Sequence, residues 1–349
     1  MTFEDFIMQA REMKASDIHL TVGLPTVIRV HGELVKYQDL SDQVVHRTIM
    51  SIITPEQEQI LAKGRDVDFS FELKNGARQR VNVFHQSGKL ACSIRLLNEE
   101  IPSLDELGLP PVLLELAKKR KGLILVTGPT GAGKSTTLAA MLQHINTTRA
   151  CHIITIEDPI EYRYKQARAT VHQREVGRDV PSFSDALRSA LREDPDVILI
   201  GEMRDYETIS LALTAAETGH LVFGTLHTSS AAQTIDRIID VCPADAKEQV
   251  RTQVANMIQG VIAQLLIPTS NGKGRVACDE IMLGTDAIKN LIRSNKIAQM
   301  ETTMQGGSAQ GMQTLIDALA KLYSAGKISF QTALEYSNNP AEMEKKLMS

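Results

Sequence analysis

The sequence predicts an α/β protein in two parts. A small α+β module occupies roughly the first hundred residues. A mainly parallel sheet wrapped by helices follows, ending in a helical C-terminal region. Three observations carry this. Between 67 and 97, apolar and polar residues alternate around Asn75-Gly76, a strong turn signal. From 112 onward, apolar runs alternate with helical periodicities. Within that second stretch, Leu123-Ile124-Leu125-Val126 leads directly into Gly128-Pro129-Thr130-Gly131-Ala132-Gly133-Lys134-Ser135. This is the phosphate-loop pattern G-x-x-x-x-G-K-[ST] set between a strand and a helix.

In the first module, Phe3, Phe6, Ile7, Ala10 and Met13 fall at helical spacing over Thr2 to Lys14, and Thr2 with Asp5 resembles a capping box. Ile18, Leu20 and Val22 alternate as a strand, Gly23-Leu24-Pro25 turns the chain, and a second strand runs from Val27 to His31. The pattern over 42–62 is helical, with Pro55 near a helix start. Val67, Phe69, Phe71 and Leu73 form one strand. The return strand places Val81 and Val83 inward and Arg78, Arg80 and Asn82 outward. A third strand, Leu90 to Leu97, leaves Ala91, Ser93 and Arg95 on the opposite face. Pro102, Gly108, Pro110 and Pro111 make 99–111 read as a linker. The expected domains are therefore 1–98 and 112–349.

In the second domain, strands are expected near 123–127, 152–157, 197–201 and 221–226. Helices are expected near 112–119, 134–147, 183–193, 206–217 and 230–240. After Pro243 the pattern reads as helices over 245–265, 286–294, 312–324 and 329–336, with a short strand near 276–282.

The chain has 349 residues, enough for about two domains with real cores. A net charge of −4 argues against a dedicated nucleic-acid binder, and 4% aromatics with no Trp leaves little for base stacking. Glu4, Asp5, Arg11 and Glu12 stand where a signal peptide needs an apolar run, and no run reaches membrane-span length. The expectation is a cytosolic protein, held at a membrane only by a partner. Cys92, Cys151, Cys242 and Cys278 are isolated, so a zinc ribbon is not expected and the thiols read as reduced core residues.

The chemistry gathers around the glycine-rich loop. Gly128, Gly131 and Gly133 let successive N–H groups, through Thr130, Ala132 and Thr136, face an anion at a helix start. Lys134 supplies charge for the outer phosphates, and the Ser135 hydroxyl suits Mg²⁺. Glu157, Asp158 and Glu161 follow a buried strand, where carboxylates can hold Mg²⁺ or its waters. Glu202 ends the apolar run Val197-Ile198-Leu199-Ile200, placed to polarise a water against a γ-phosphate. Gly201 stands where many P-loop ATPases carry Asp. His220 and His227 bracket the strand 221–226, with His227 at its carboxyl end. Arg78, Arg80 and Arg95 have two readings: cross-strand pairing with Asp68 and Glu72, or charge donated in trans to another subunit's γ-phosphate.

The order GPTGAGKSTT, ITIEDPIEY, REDPDVILIGEMRD and TGHLVFGTLHT resembles the secretion and type IV pilus ATPase superfamily, whose stretches are Walker A, Asp box, Walker B and His box. SDIHL and RVNVF fit as well, and GMQTLIDAL and AIKNLIR are similar to its PilT-type retraction branch. The resemblance implies a PAS-like N-terminal domain, a RecA-like ATPase domain and a homohexamer using ATP and Mg²⁺. It implies a cytoplasmic position beneath a polytopic inner-membrane platform protein, with other retraction or assembly ATPases as further partners. By resemblance Lys134 and Ser135 are the phosphate and Mg²⁺ residues, Glu202 the general base, and Glu161 the key Asp-box carboxylate. Arg80 and Arg95 match arginines that reach the nucleotide. The assembly and secretion branches commonly carry a paired-CxxC insert and a longer N-terminal region; this sequence shows no C-x-x-C pair, and the expectation is the retraction branch, without either feature. The stretch 287–293 is tied by the family to retraction, with Lys289 in place of the usual Arg. The alternatives are an accessory retraction paralogue, a nucleic-acid translocase and a ring subunit that binds ATP without hydrolysing it.

Overall fold

The computed structural model describes residues 3–30, 32–97, 100–272 and 274–348. Thr2 of the expected capping box and His31 of the expected second strand lie outside them, as does the 98/99 domain boundary. The chain divides into two compact units, one of residues 1–100 with 161–163 and one of 101–160 with 164–349.

The first unit contains α1 (Phe3–Glu12), β1 (Ala15–Thr21), β2 (Val27–Val30), β3 (Glu33–Lys36), α2 (Asp42–Met50), α3 (Pro55–Ala62), β4 (Val67–Glu72), β5 (Arg78–Gln86) and β6 (Lys89–Leu96). Its sheet has the order β3-β2-β1-β6-β5-β4, every pairing antiparallel. The Asn75 side chain accepts from the Ala77 amide at 3.0 Å, and Gly76 takes φ 89°, so the turn forms where its residues demand it. The expected helical stretch 42–62 is two helices. Thr54 and Gln57 make a capping box with Pro55 in the first turn, which starts α3 afresh. Strand β3, all exposed, has no apolar periodicity and was not foreseen. Two outward assignments are corrected. Arg78 is only 4% exposed and donates to Ser70 Oγ at 2.8 Å, its long side chain lying back across β4. Ala91 is also buried.

The second unit contains α4 (Val112–Ala117), β7 (Gly122–Thr127), α5 (Lys134–Thr148), β8 (His152–Glu157), β9 (Thr170–Glu175), α6 (Phe183–Ala190), β10 (Val197–Ile200), α7 (Tyr206–Glu217), β11 (Leu221–Leu226), α8 (Ala231–Asp240), α9 (Lys247–Met257), β12 (Ile258–Pro268) and β13 (Arg275–Leu283). It closes with α10 (Asp286–Arg293), α11 (Met300–Gly306), α12 (Leu315–Ser324), α13 (Phe330–Glu335) and α14 (Pro340–Met348). The sheet order is β13-β12-β7-β11-β10-β8-β9, parallel except for β12 against β13. Along β7, Leu123 and Leu125 enter one core while Ile124 and Val126 enter the other, so helices cover both faces of the central strands.

One expectation fails substantially. Residues 258–265, read as the end of a helix over 245–265, are strand β12, and the helix α9 stops at Met257. The run is apolar on both faces, which gives no period to tell strand from helix. Pairing decides it. Ala263 lies beside Thr127 of β7 and opposite Glu280 of β13, and a Cβ at Gly260 would sit 2.9 Å from Leu116. Strand β9 and helix α14 were also unforeseen. Leu104 and Leu109, inside the expected linker, are buried in the second unit's core.

Candidate nucleotide site

The parallel strands end together, and β7 feeds the glycine-rich loop into α5. Gly133 at the helix start has φ 87°, and Gly128 has φ 139°. Gly128 is required twice over, because a Cβ there would fall 2.2 Å from the backbone oxygen of Gln264. The loop is therefore pressed against β12. Gln264 is buried and bridges the loop to its helix: Nε2 donates to the Ala132 carbonyl at 2.7 Å, and Oε1 accepts from Thr137 Oγ1 at 2.7 Å. Lys134 Nζ donates back to the carbonyls of Gly128 at 2.7 Å and Pro129 at 3.0 Å. Ser135 and Thr136 are half-buried on the first turn of α5. Beside them lies a cavity of about 660 Å³, lined by Gly133, Thr136, Gln264 and Leu266 with Arg275 and Lys327. Its size matches an ordinary small-ligand pocket.

Glu202 and His227 converge from β10 and β11. Glu202 lies two residues past Ile200, His227 one past Leu226, and Ile200 pairs with Gly224. His227 Nε2 is 3.1 Å from Glu202 Oε1, and the same oxygen accepts from Arg204 Nε. The Thr225 hydroxyl donates to the Gly201 carbonyl, and the Met203 amide donates to the Thr225 carbonyl at 3.0 Å, which locks the two strand ends. Burial pushes the Glu202 carboxyl up, but the Arg204 guanidinium and His227 outweigh it and hold it below its ordinary value. Arg204 is 76% exposed against 17% for Glu202, so water weakens that ion pair.

The other sequence-predicted residues divide. Glu157, at the end of β8, accepts from Thr155 Oγ1 at 2.6 Å and from Gln173 Nε2 at 3.3 Å, and Asp158 is exposed beside it. His220 is not brought to the loop in its own chain. It precedes β11 at the amino edge of the sheet, bonded to the Ala215 carbonyl at 2.8 Å, about 20 Å of strand away from His227. A direct contact from His220 to a nucleotide on this loop is therefore corrected, because parallel strands present only their carboxyl ends to the loop. Glu161 groups with Tyr162 and Arg163 in the first unit. There Arg80 makes a two-pronged bond to Asp68, at 3.1 and 2.7 Å, and Arg95 bonds Asp17 at 3.0 Å. Both pairs are cross-strand contacts of the first sheet.

No group of three or more His, Cys, Asp or Glu among the described residues is arranged to cage a metal. Mg²⁺ suits such a place nonetheless, since it is held by one or two protein oxygens with phosphates and waters. Ser135 offers a hard oxygen of that kind beside the loop. Sequence reasoning missed Gln264, Thr137 and Arg204. A Gln inside the apolar run 258–267 was the available signal for the first.

The family model for type II/IV secretion system proteins matches residues 2–335. The chain belongs to that family. Among secretion-family relatives, it is 49% identical over 342 residues to the type IV pilus retraction ATPase PilT of Pseudomonas aeruginosa, covering 97% of this chain and 99% of that protein. It is 48% identical over 319 residues to a twitching motility protein of Neisseria gonorrhoeae, covering 91% and 85%. A crystal structure of the pilus retraction motor PilT with bound ADP superposes with a TM-score of 0.91 at 48% identity, covering 99% of each chain. Two sheets in two units, with the phosphate loop in the second, are the arrangement the resemblance implied.

Proposed function

We propose that this chain is a PilT-type ATPase that converts ATP hydrolysis into retraction of type IV pili and so drives twitching motility. The observation that carries the reading is the Glu202–His227 pair at strand ends beside the phosphate loop. The triphosphate is cradled by the amides of residues 128–136. Lys134, which now donates to two loop carbonyls, turns to the outer phosphates, where full negative charge replaces carbonyl dipoles. Glu202 is held ionised, so it can take a proton from the attacking water, with His227 fixing the carboxylate's orientation. Ser135 would hold Mg²⁺, with Glu157 and Asp158 positioning its waters, and Glu161 is proposed from the family resemblance as the key Asp-box carboxylate; the ion would neutralise charge on the phosphates. The base and ribose fit the cavity beside Thr136 and Leu266. Arg80 and Arg95 are proposed to serve the γ-phosphate across a subunit interface in a homohexamer.

The proposed domains are a PAS-like region over 1–98, a connection over 99–111 and a RecA-like ATPase with its helical region over 112–349. The proposed setting is the cytoplasmic face of the inner membrane, against a polytopic pilus platform protein. Among the described residues, no helix is long and apolar enough to cross a membrane.

The test is steady-state turnover of Mg²⁺-ATP by the full chain. Glu202→Gln should lower kcat by about 10²–10⁴-fold with little change in nucleotide affinity. Equal rates would remove Glu202 as the base.

A further inference from the structure

Glu280 on β13 is buried, and nothing in the nucleotide reading uses it. Its Oε1 accepts the amide of Ala231, the first residue of α8, at 2.7 Å. The amide of Leu315, the first residue of α12, lies near enough to oppose that carboxyl's rise. Both amides belong to the set that a helix start leaves without an internal partner. Burial raises this carboxyl, and the two amides oppose that rise.

The sheet register sets this clasp at the edge of the site. Glu280 pairs with Ala263, Ala263 with Thr127, and Thr127 with Leu226. Paired residues share a face, so the row faces α8 as a unit. Thr127 is the residue before Gly128, and Leu226 is the residue before His227. Helix α8 grips the same row, because Thr234 Oγ1 lies 3.4 Å from Thr127 Oγ1 and 2.7 Å from Thr228 Oγ1. Only Thr228, Ser229 and Ser230 separate His227 from Ala231.

We propose that Glu280 is a positioning residue for hydrolysis: by fixing the first turn of α8 it sets the 227–230 segment so that His227 meets Glu202, and it ties that segment to α12. The proposal rests on the ATPase reading above. The C-terminal helices α12 to α14 share a core with Ile267 of β12 and Cys278 of β13. A buried carboxylate shared between α8 and α12 therefore links that core to the catalytic edge.

The experiment uses the full chain with Mg²⁺-ATP turnover and titration with Mg²⁺-ADP. Glu280→Gln keeps the shape but turns an N–H₂ group toward one of the two helix amides. It should lower kcat about 10-fold while KM and the Mg²⁺-ADP affinity stay within about twofold. In a His227→Ala background, Glu280→Gln should add less than about a twofold loss, because both changes break one arrangement. Multiplying losses, or a raised KM with unchanged kcat, would overturn the proposal. Should Glu280→Gln not fold, Ala231→Pro carries the test. It deletes the donor at a first helical position that suits proline, after an extended Ser230. It should again lower kcat alone, and an unchanged kcat refutes the clasp. If His227→Ala itself left turnover intact, the Glu202–His227 reading would fall together with this one. Additivity beside a damaged His227→Ala would sink Glu280 alone.

Discussion

The phosphate loop depends on a side chain outside it, and Gln264→Ala tests how much. The substitution removes the partners of two groups packed against β12, the Ala132 carbonyl and the Thr137 hydroxyl, both bonded at 2.7 Å. Each polar group left buried without a partner costs ~1–3 kcal/mol, so the pair implies roughly 2–6 kcal/mol, with a small void besides. The cost falls partly on global stability and partly on the loop. Ala132 lies between Gly131 and Gly133, and once released it can leave the conformation that points the amides at phosphate. The relevant assays are denaturant unfolding of the full chain and calorimetric titration with Mg²⁺-ADP. The expected result is a stability loss of at least about 2 kcal/mol and nucleotide binding at least ~10-fold weaker. Gln264→Glu should also weaken binding, because its acceptor oxygens face the Ala132 carbonyl. A stable Gln264→Ala protein with unchanged affinity would refute the brace and leave the loop self-supporting.

Other outcomes follow from the same geometry. Lys134→Ala should abolish measurable turnover, read by phosphate release, while the fold seen by circular dichroism persists. Arg80→Gln should alter stability by less than about 1 kcal/mol, since its pair with Asp68 is exposed. If Arg80 serves a neighbouring nucleotide, kcat should nevertheless fall ~10³-fold, and an unchanged kcat would leave it a cross-strand pair. Burial lifts the Asp279 carboxyl from 3.8 to about 7, and its Oδ1 has no partner. The folded form thus holds a proton that the unfolded form has lost, so stability falls as pH rises between these values, by roughly 4 kcal/mol at most. Asp279→Asn should unfold at higher denaturant than wild type at pH 8, an advantage that fades toward pH 4. A parallel pH profile for the two proteins would contradict this. Glu202 has the opposite sign. Its carboxyl is held below 4.5, so its ion pairs persist above that value and are lost as pH falls through the lowered one. The acid limb of turnover that belongs to Glu202 should lie below pH 4.5.

The legibility of this chain divides along physical lines. Where a segment has one apolar face, as at Val67 to Leu73 or in the helix Tyr206–Glu217, periodicity alone located it. Where the chemistry needs special backbone, the residues announced it: Gly128 and Gly133 occupy the left-handed region that the loop pattern required. Burial on both faces erased the signal. Ile258 to Ile267 reads equally as helix or strand, and only its pairing with β7 and β13 resolves it. That single ambiguity hid Gln264 and Glu280 together, since neither has meaning until β12 lies beside the phosphate loop. Arg78 was misplaced for another reason: alternation fixes where a Cβ points but not where the rest of a long side chain lies.

The hidden residues share a property that bears on the motor. Gln264 and Glu280 sit on the two strands added to one edge of the parallel sheet, and each connects a loop at the catalytic edge to something behind it. Gln264 reaches the phosphate loop, and Glu280 reaches both the segment after His227 and the first turn of α12. A nucleotide that draws Lys134 off the Gly128 and Pro129 carbonyls changes the contacts of the loop that Gln264 braces. If His227 follows the γ-phosphate, phosphate loss relaxes the segment that Glu280 holds. Both disturbances arrive at the β12–β13 pair, the part of the sheet on which the C-terminal helices are built. A retraction motor needs its chemistry to reach structure outside the site, and this antiparallel pair is the physical path the fold offers. Disulfide cross-linking of β13 to α12 should then leave nucleotide binding intact while slowing turnover. Equal turnover in the cross-linked and reduced proteins would show that the C-terminal helices do not move with the hydrolysis cycle.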